Sequence, residues 1–179
     1  INDIFDKQFD KFVKRTKNRP LASNKVTIVD AILFILLQLL IGLIVVIQFD
    51  WHVIVSSFLI IPLVVIYPLL KRITYIPQFF LGLAFNWGVI LGHLSQNSQF
   101  DINILYLFFA GVFLTTAYDT IYGFQDLVDD KKLGLKSLSI LLEKQKHFLL
   151  FIYLLSFMLF FIYFEIKFYN QTLIYLSCF

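Results

Sequence analysis

Cysteine is nearly missing: the 179 residues hold one, Cys178. A lone thiol excludes an intrachain disulfide and any metal centre built from cysteines. Charge is also scarce. Only 15% of residues are charged, against about 25% in a soluble domain. Net charge is +3, which gives no support to a nucleic-acid partner. There is no internal repeat and no low-complexity segment. What fills the chain is apolar: 59% of it, with 22 Phe and 9 Tyr. So many long apolar runs cannot hide inside one small core, and several approach the roughly 20 residues that cross a bilayer. Composition therefore predicts a multi-pass membrane protein in contact with lipid.

Apolar spans lie near 28–48, 53–70, 75–93, 102–118 and 148–165, and a last one begins near 172. Pro62 and Pro68 predict a kink or an early end in the second span. Gly88-Val89-Ile90-Leu91-Gly92 is a GxxxG pattern, which predicts close helix packing inside the bundle. The chain opens on Ile1, inside a polar motif, and closes on Phe179, inside an apolar run. Both ends are expected to be cuts in a longer protein. The expected fold is all-α: one polytopic transmembrane helix bundle over residues 1–179, truncated at both ends.

The segments between spans alternate in charge. Residues 7–25, 71–72 and 131–146 hold 14 of the 15 Lys and Arg residues, whereas 49–52, 94–101 and 166–171 hold only Lys167. The positive-inside rule puts the first set on the cytoplasmic face, or on the matrix face in a mitochondrion. Both aspartate-rich stretches belong to that face.

Carboxylates beside lipid are costly and mark functional sites. Asn2, Asp6 and Asp10 are spaced i, i+4, i+8 and form one polar stripe if helical, with Asp3 beside it. Asp119, Tyr122, Asp126 and Asp130 would share a sector of about 80° on a second helix, with Asp129 just off it. Stacked carboxylates repel unless a cation joins them. Hard oxygen ligands at this density suit Mg²⁺, which takes one or two carboxylates and fills its other positions with water and substrate phosphates. Lys14, Arg15, Arg19, Lys131, Lys132 and Lys136 lie near the two stretches as cations for a diphosphate, or as topological anchors. Arg72 can grip a carboxylate bidentately, which suits a small aromatic acid.

These blocks carry a resemblance. Asn2-Asp3-x-x-Asp6-x-x-x-Asp10, followed by Lys14-Arg15-Thr16-x-Asn18-Arg19-Pro20-Leu21, resembles the first signature of the UbiA superfamily of intramembrane prenyltransferases. Tyr118-Asp119-Thr120-x-Tyr122-x-x-x-Asp126-x-x-Asp129-Asp130, continuing to Gly134-x-Lys136-Ser137, resembles the second. Between them, Tyr67-Pro68-x-x-Lys71-Arg72-x-Thr74-x-x-Pro77-Gln78 resembles the branch that takes 4-hydroxybenzoate. Gly123 departs from the commoner small residue at its position without altering the assignment.

The resemblance implies a bundle of roughly nine helices around a lipid-facing cavity, of which this chain holds the end of the second helix to the start of the eighth. It implies transfer of a polyprenyl group from polyprenyl diphosphate to the ring of 4-hydroxybenzoate, a step of ubiquinone synthesis in a bacterial or mitochondrial inner membrane. By position, Asn2, Asp6, Asp10, Asp126 and Asp130 would hold Mg²⁺ and the diphosphate. Asp6, Asp10, Asp126, Asp130 and Arg72 are the catalytic candidates. Asn2, Asp3, Arg72, Asp119, Tyr122 and Lys136 are the substrate-binding ones. The rivals are a related enzyme with another acceptor (homogentisate, a naphthoate or haem) and, from another class, a cation transporter. A transporter needs acids near the bilayer midplane, and here the clusters sit at span ends.

Overall fold

A computed structural model describes residues 1–97 and 99–177, with side chains through Tyr169; Cys178 lies outside the described residues. Among the described residues the chain is helical and loop, with no strand. Two short turns, α1 (Asn2–Phe5) and α2 (Lys7–Asp10), precede a looped basic segment. The long helices are α3 (Ile28–Val46), α4 (Trp51–Leu59), α5 (Ile61–Ile73), α6 (Pro77–Gln96), α7 (Ile104–Gly123) and α10 (Phe148–Ser177). Short helices α8 (Leu127–Lys132) and α9 (Leu138–Leu141) link α7 to α10.

Four stretches are long and apolar enough to cross a membrane: Ile28–Val46, Trp51–Ile73, Ile104–Gly123 and Phe148–Tyr169. The protein is a multi-pass membrane protein. Helix α6 matches their length but carries Gln78, Asn86, His93, Ser95 and Gln96. It lies between α5 and α7, and Gln78, Asn86 and His93 find partners outside the helix in Leu138, Thr115 and Asp101. Asn86 Nδ2 donates to the Gly82 carbonyl and to Thr115 Oγ1, each at 2.9 Å. Trp87 Nε1 donates to the Ser56 carbonyl at 2.9 Å and ties α6 to α4. Helix α3 is the opposite case. None of its residues is buried, as befits a helix whose apolar surface faces lipid. A capping box starts it: Thr27 Oγ1 accepts the Asp30 N–H, and Asp30 returns the bond to the Thr27 N–H.

Pro62 acts at the end of one helical piece. The second span breaks at Ile60, and Pro62 sits in the first turn of α5, where its missing N–H costs nothing. Pro68 stays inside α5 and is buried. Two expectations fail. Residues 166–171 do not form a loop before a new span, because α10 runs unbroken from Phe148 to Ser177. Glu and Lys are good helix formers, and Lys167 reaches across to Asp101 at 2.9 Å. The GxxxG pair is not a packing seam either. A Cβ on Gly88 or Gly92 would meet nothing within 4 Å. The close approach to backbone is at Gly82, where a Cβ would stand 2.7 Å from the Val112 carbonyl oxygen of α7.

The core follows those contacts. Ile90, Ile104, Phe108 and Val112 fill the α6–α7 seam. Ala117, Leu138, Leu142, Leu149 and Ile152 join α7 and α9 to α10. Ser156 Oγ donates to the Ala110 carbonyl at 2.7 Å and pins α10 to α7. This frame brings the ends of α5 and α7 and the start of α6 to one end of the bundle.

Candidate active site

The first acidic stretch is two turns interrupted at Asp6, not one smooth helix. The i→i+4 bonds nevertheless persist: Asp6 N–H to Asn2 at 2.9 Å and Asp10 N–H to Asp6 at 2.8 Å. The stripe of Asn2, Asp6 and Asp10 therefore survives. Asp6 and Asp10 are each 7% exposed. The basic loop folds back over them. Arg19 Nη1 lies 3.0 Å from both Asp3 and Asp10, and Thr16 Oγ1 donates to the Asp10 carbonyl at 3.1 Å.

The second stretch does not lie on a single helix. Helix α7 carries Asp119 and Tyr122 and stops at Gly123; Asp126 caps α8, which carries Asp129 and Asp130. Arg15 crosses to it: its Nε donates to both Asp126 oxygens at 3.1 and 3.0 Å, bridging positions 111 residues apart. The Lys14 N–H donates to Asp129 Oδ2 at 3.3 Å. Past α8 the chain turns at Gly134, whose φ of +70° suits a residue without a Cβ. That turn brings the Lys136 N–H to the Lys71 carbonyl at 2.7 Å and its Nζ to the Ile73 carbonyl at 3.1 Å. Lys136 thus satisfies carbonyls at the end of α5, where a cation also suits the helix dipole.

Both stretches wall one cavity of about 300 Å³. Asn2, Asp6 and Asp10 line one side, and Asp119, Tyr122, Asp126 and Asp130 line another, with Lys136 at the edge. Asp3 and Arg72 do not line it. Asp3 is held by Arg19. The Arg72 guanidinium donates to the Phe5 carbonyl at 3.1 Å and lies 4.9 Å above the Phe9 ring, so it braces the first stretch from outside. Its neighbour Lys71 faces inward, with Nζ 3.1 Å from Asp6. Sequence reasoning missed Lys71, Tyr67 and Gln78 as wall residues. A signal was there: Tyr67 and Lys71 are one turn apart and share a helix face, and Arg72 lies about 100° away from Lys71.

Three of the cavity's aspartates are paired, Asp6 with Lys71, Asp10 with Arg19 and Asp126 with Arg15. A hydrogen bond to Asp126 raises the Arg15 pKa. Burial, and then the Asp126 charge, push Asp130 up to about 6. Asn2 Oδ1 is buried and accepts no hydrogen bond from any described residue. No three His, Cys, Asp or Glu side chains form a ready ion cage among the described residues. An orphaned amide oxygen among separated carboxylates fits Mg²⁺ that draws the rest of its coordination from water and substrate phosphate. It does not fit a metal held wholly by protein.

The chain matches the UbiA prenyltransferase family over residues 1–179. It is 46% identical over 138 residues to the mitochondrial 4-hydroxybenzoate polyprenyltransferase of Drosophila pseudoobscura pseudoobscura, covering 76% of this chain and 35% of that protein. It is likewise 46% identical over 138 residues to 4-hydroxybenzoate geranyltransferase 1 of Lithospermum erythrorhizon, covering 76% of this chain and 45% of the relative. Against the 4-hydroxybenzoate octaprenyltransferase of Marinomonas sp. (strain MWYL1), identity is 42% over 142 residues, 79% of this chain and 50% of the relative. The chain thus spans about a third to a half of these relatives. No solved structure matches it. A family match along the whole chain, with both acidic signatures walling one cavity, makes this chain a member of the UbiA prenyltransferase family.

Proposed function

We propose that this chain carries the diphosphate-binding half of a 4-hydroxybenzoate polyprenyltransferase. The observation that carries the reading is the shared cavity: acids from residues 2–10 and 119–130, with Arg15 and Lys71 between them. Relatives named for 4-hydroxybenzoate as acceptor, from insects, a plant and a bacterium, support the substrate class.

Asn2, Asp6, Asp10, Asp126 and Asp130 would hold Mg²⁺. When bound, Mg²⁺ supplies positive charge against the charge that grows on the leaving diphosphate. Lys71, Arg15 and Arg19 add cations to the same oxygens by exchanging their carboxylate partners for phosphate. The allylic C–O bond breaks, and diphosphate leaves with the electron pair. The ring carbon ortho to the hydroxyl of 4-hydroxybenzoate forms the new C–C bond, and loss of its proton restores aromaticity. Tyr67 and Tyr122 line the wall, and their rings would be the nearest candidates to stabilise the cationic carbon. Water must be kept out, a task that would fall to the surrounding apolar helices.

The polar cavity is too small for a prenyl tail. A second groove of about 420 Å³ shares Asn2 and Tyr67 with it and continues between α3 and α5 past Ile35, Leu39 and Val64. This gives the tail a path to lipid. The positive-inside pattern supports a cavity on the cytoplasmic or matrix face.

Radiolabelled prenyl transfer by the full-length chain in membranes is the test. Asp6→Asn, Asp10→Asn, Asp126→Asn and Asp130→Asn should each abolish Mg²⁺-dependent transfer while insertion is retained. Normal turnover in any of them removes that residue from the site. A panel of phenolic acids separates 4-hydroxybenzoate from homogentisate and naphthoate acceptors.

A further inference from the structure

Gln78 stands in the second position of α6, after Pro77, and is 5% exposed. Its Oε1 accepts the Leu138 N–H at 3.0 Å and so holds the start of α9. That bond also fixes which end of the carboxamide is which. A backbone N–H can only donate, so the atom facing it is the oxygen. The amide nitrogen, with two N–H donors, is left on the other side.

Gln78 is a wall residue of the polar cavity. Its Nε2 makes no hydrogen bond with any described residue. It is not among the sealed, unsatisfied atoms either, so it touches open space. The direction is given by Gly123, another wall residue: a Cβ there would lie 3.8 Å from Gln78 Nε2. A neutral donor, nearly buried and without a protein partner, faces the place where an anion is expected. Buried donors are paired in native structures as a rule, and here the missing partner is on the cavity side.

We propose that Gln78 is a substrate-binding residue that donates an Nε2 hydrogen bond to an anionic oxygen of a bound substrate. The oxygen belongs to the donor's diphosphate or to the acceptor's carboxylate. The proposal rests on the prenyl-transfer reading and adds to it a neutral donor opposite the metal-binding acids. It also gives one side chain two tasks: its oxygen fixes α9, and its nitrogen reads the substrate.

The test compares Gln78→Glu and Gln78→Met with wild type in the full-length chain, measuring the KM for each substrate and the melting temperature. Glutamate keeps an oxygen for the Leu138 N–H and loses the donor; methionine loses both. Q78E and Q78M should each raise the KM of one substrate about tenfold or more, and only Q78M should melt lower. A rise confined to the prenyl diphosphate assigns the oxygen to diphosphate. A rise confined to the aromatic acid assigns it to the carboxylate. Unchanged KM values in both variants, with lower melting in Q78M alone, overturn the proposal and leave Gln78 as an anchor for α9. If wild type transfers no prenyl group, the prenyl-transfer reading fails by itself. Equilibrium binding of inorganic pyrophosphate and of 4-hydroxybenzoate to wild type and Q78E then decides the role of Gln78 by the same comparison.

Discussion

Gly82 is where an added methyl group would run into the backbone of a neighbouring helix, and it should be felt at the site. A Cβ would stand 2.7 Å from the Val112 carbonyl oxygen, 3.1 Å from Val112 Cγ1 and 3.2 Å from Thr116 Oγ1. The first of these is backbone and cannot rotate aside. Ordinary contact begins near 3.4 Å, about 0.7 Å beyond the 2.7 Å available, so Gly82→Ala must shift α6 against α7. Overpacking of this kind costs about 1–3 kcal/mol. Alanine returns up to about 1 kcal/mol over glycine in a helix. With that return in full, the net loss is about 0–2 kcal/mol. Gly88→Ala, in the same helix but with nothing within 4 Å of its Cβ, keeps the propensity gain of up to about 1 kcal/mol. The two variants should therefore differ by roughly 1–3 kcal/mol in reversible unfolding by SDS in mixed micelles. Gln78 lies one turn before Gly82, so the parted helix also shifts a wall of the cavity, and substrate KM should rise in G82A alone. Equal stability of G82A and G88A would refute the packing argument.

The neighbours Lys71 and Arg72 should separate in function. Lys71→Met removes the cation facing Asp6 and should cut transfer by about 10- to 100-fold, on the scale of a charged hydrogen bond, whereas Arg72→Ala should chiefly lower melting temperature by freeing the Phe5 carbonyl and the Phe9 ring; steady-state kinetics and melting on both variants check this. Asp130 gives a pH signature in metal-free protein. Its folded pKa, about 6, stands above the ordinary 3.8, so the folded state gains protons relative to the unfolded one and loses stability as pH rises through that window. Asp130→Asn should therefore raise the melting temperature of metal-free protein at pH 7 and have little effect at pH 3.5, with the rise absent if Asp130 is solvated.

Most of the architecture was legible because hydropathy and charge asymmetry act along the chain. The long apolar helices, the Pro62 break and the two acidic stretches all follow from local pattern. What escaped was set by three-dimensional contact. Lys167 reads as the end of a span, but its pairing with Asp101 is a tertiary event that lets α10 continue. Gly88 and Gly92 match a packing motif, yet the close backbone contact is at Gly82 because Val112 lies across from it. In the site, residue type singled out the acids, and Asn2, Asp6, Asp10, Asp119, Tyr122, Asp126, Asp130 and Lys136 share one cavity wall, whereas Asp3 does not line it. Helix phase decided between Lys71 and Arg72, and only the fold could show that Arg15 reaches Asp126.

That reach is also the most direct handle on the central claim, which is that two acidic stretches remote in sequence meet in one pocket. Arg15→Cys and Asp126→Cys, in a chain carrying Cys178→Ser and a protease site between α3 and α4, should be joined by a short bifunctional thiol reagent in membranes. The two fragments then stay linked after cleavage. Fragments that separate, with the two thiols labelled from opposite faces of the membrane, would contradict the account.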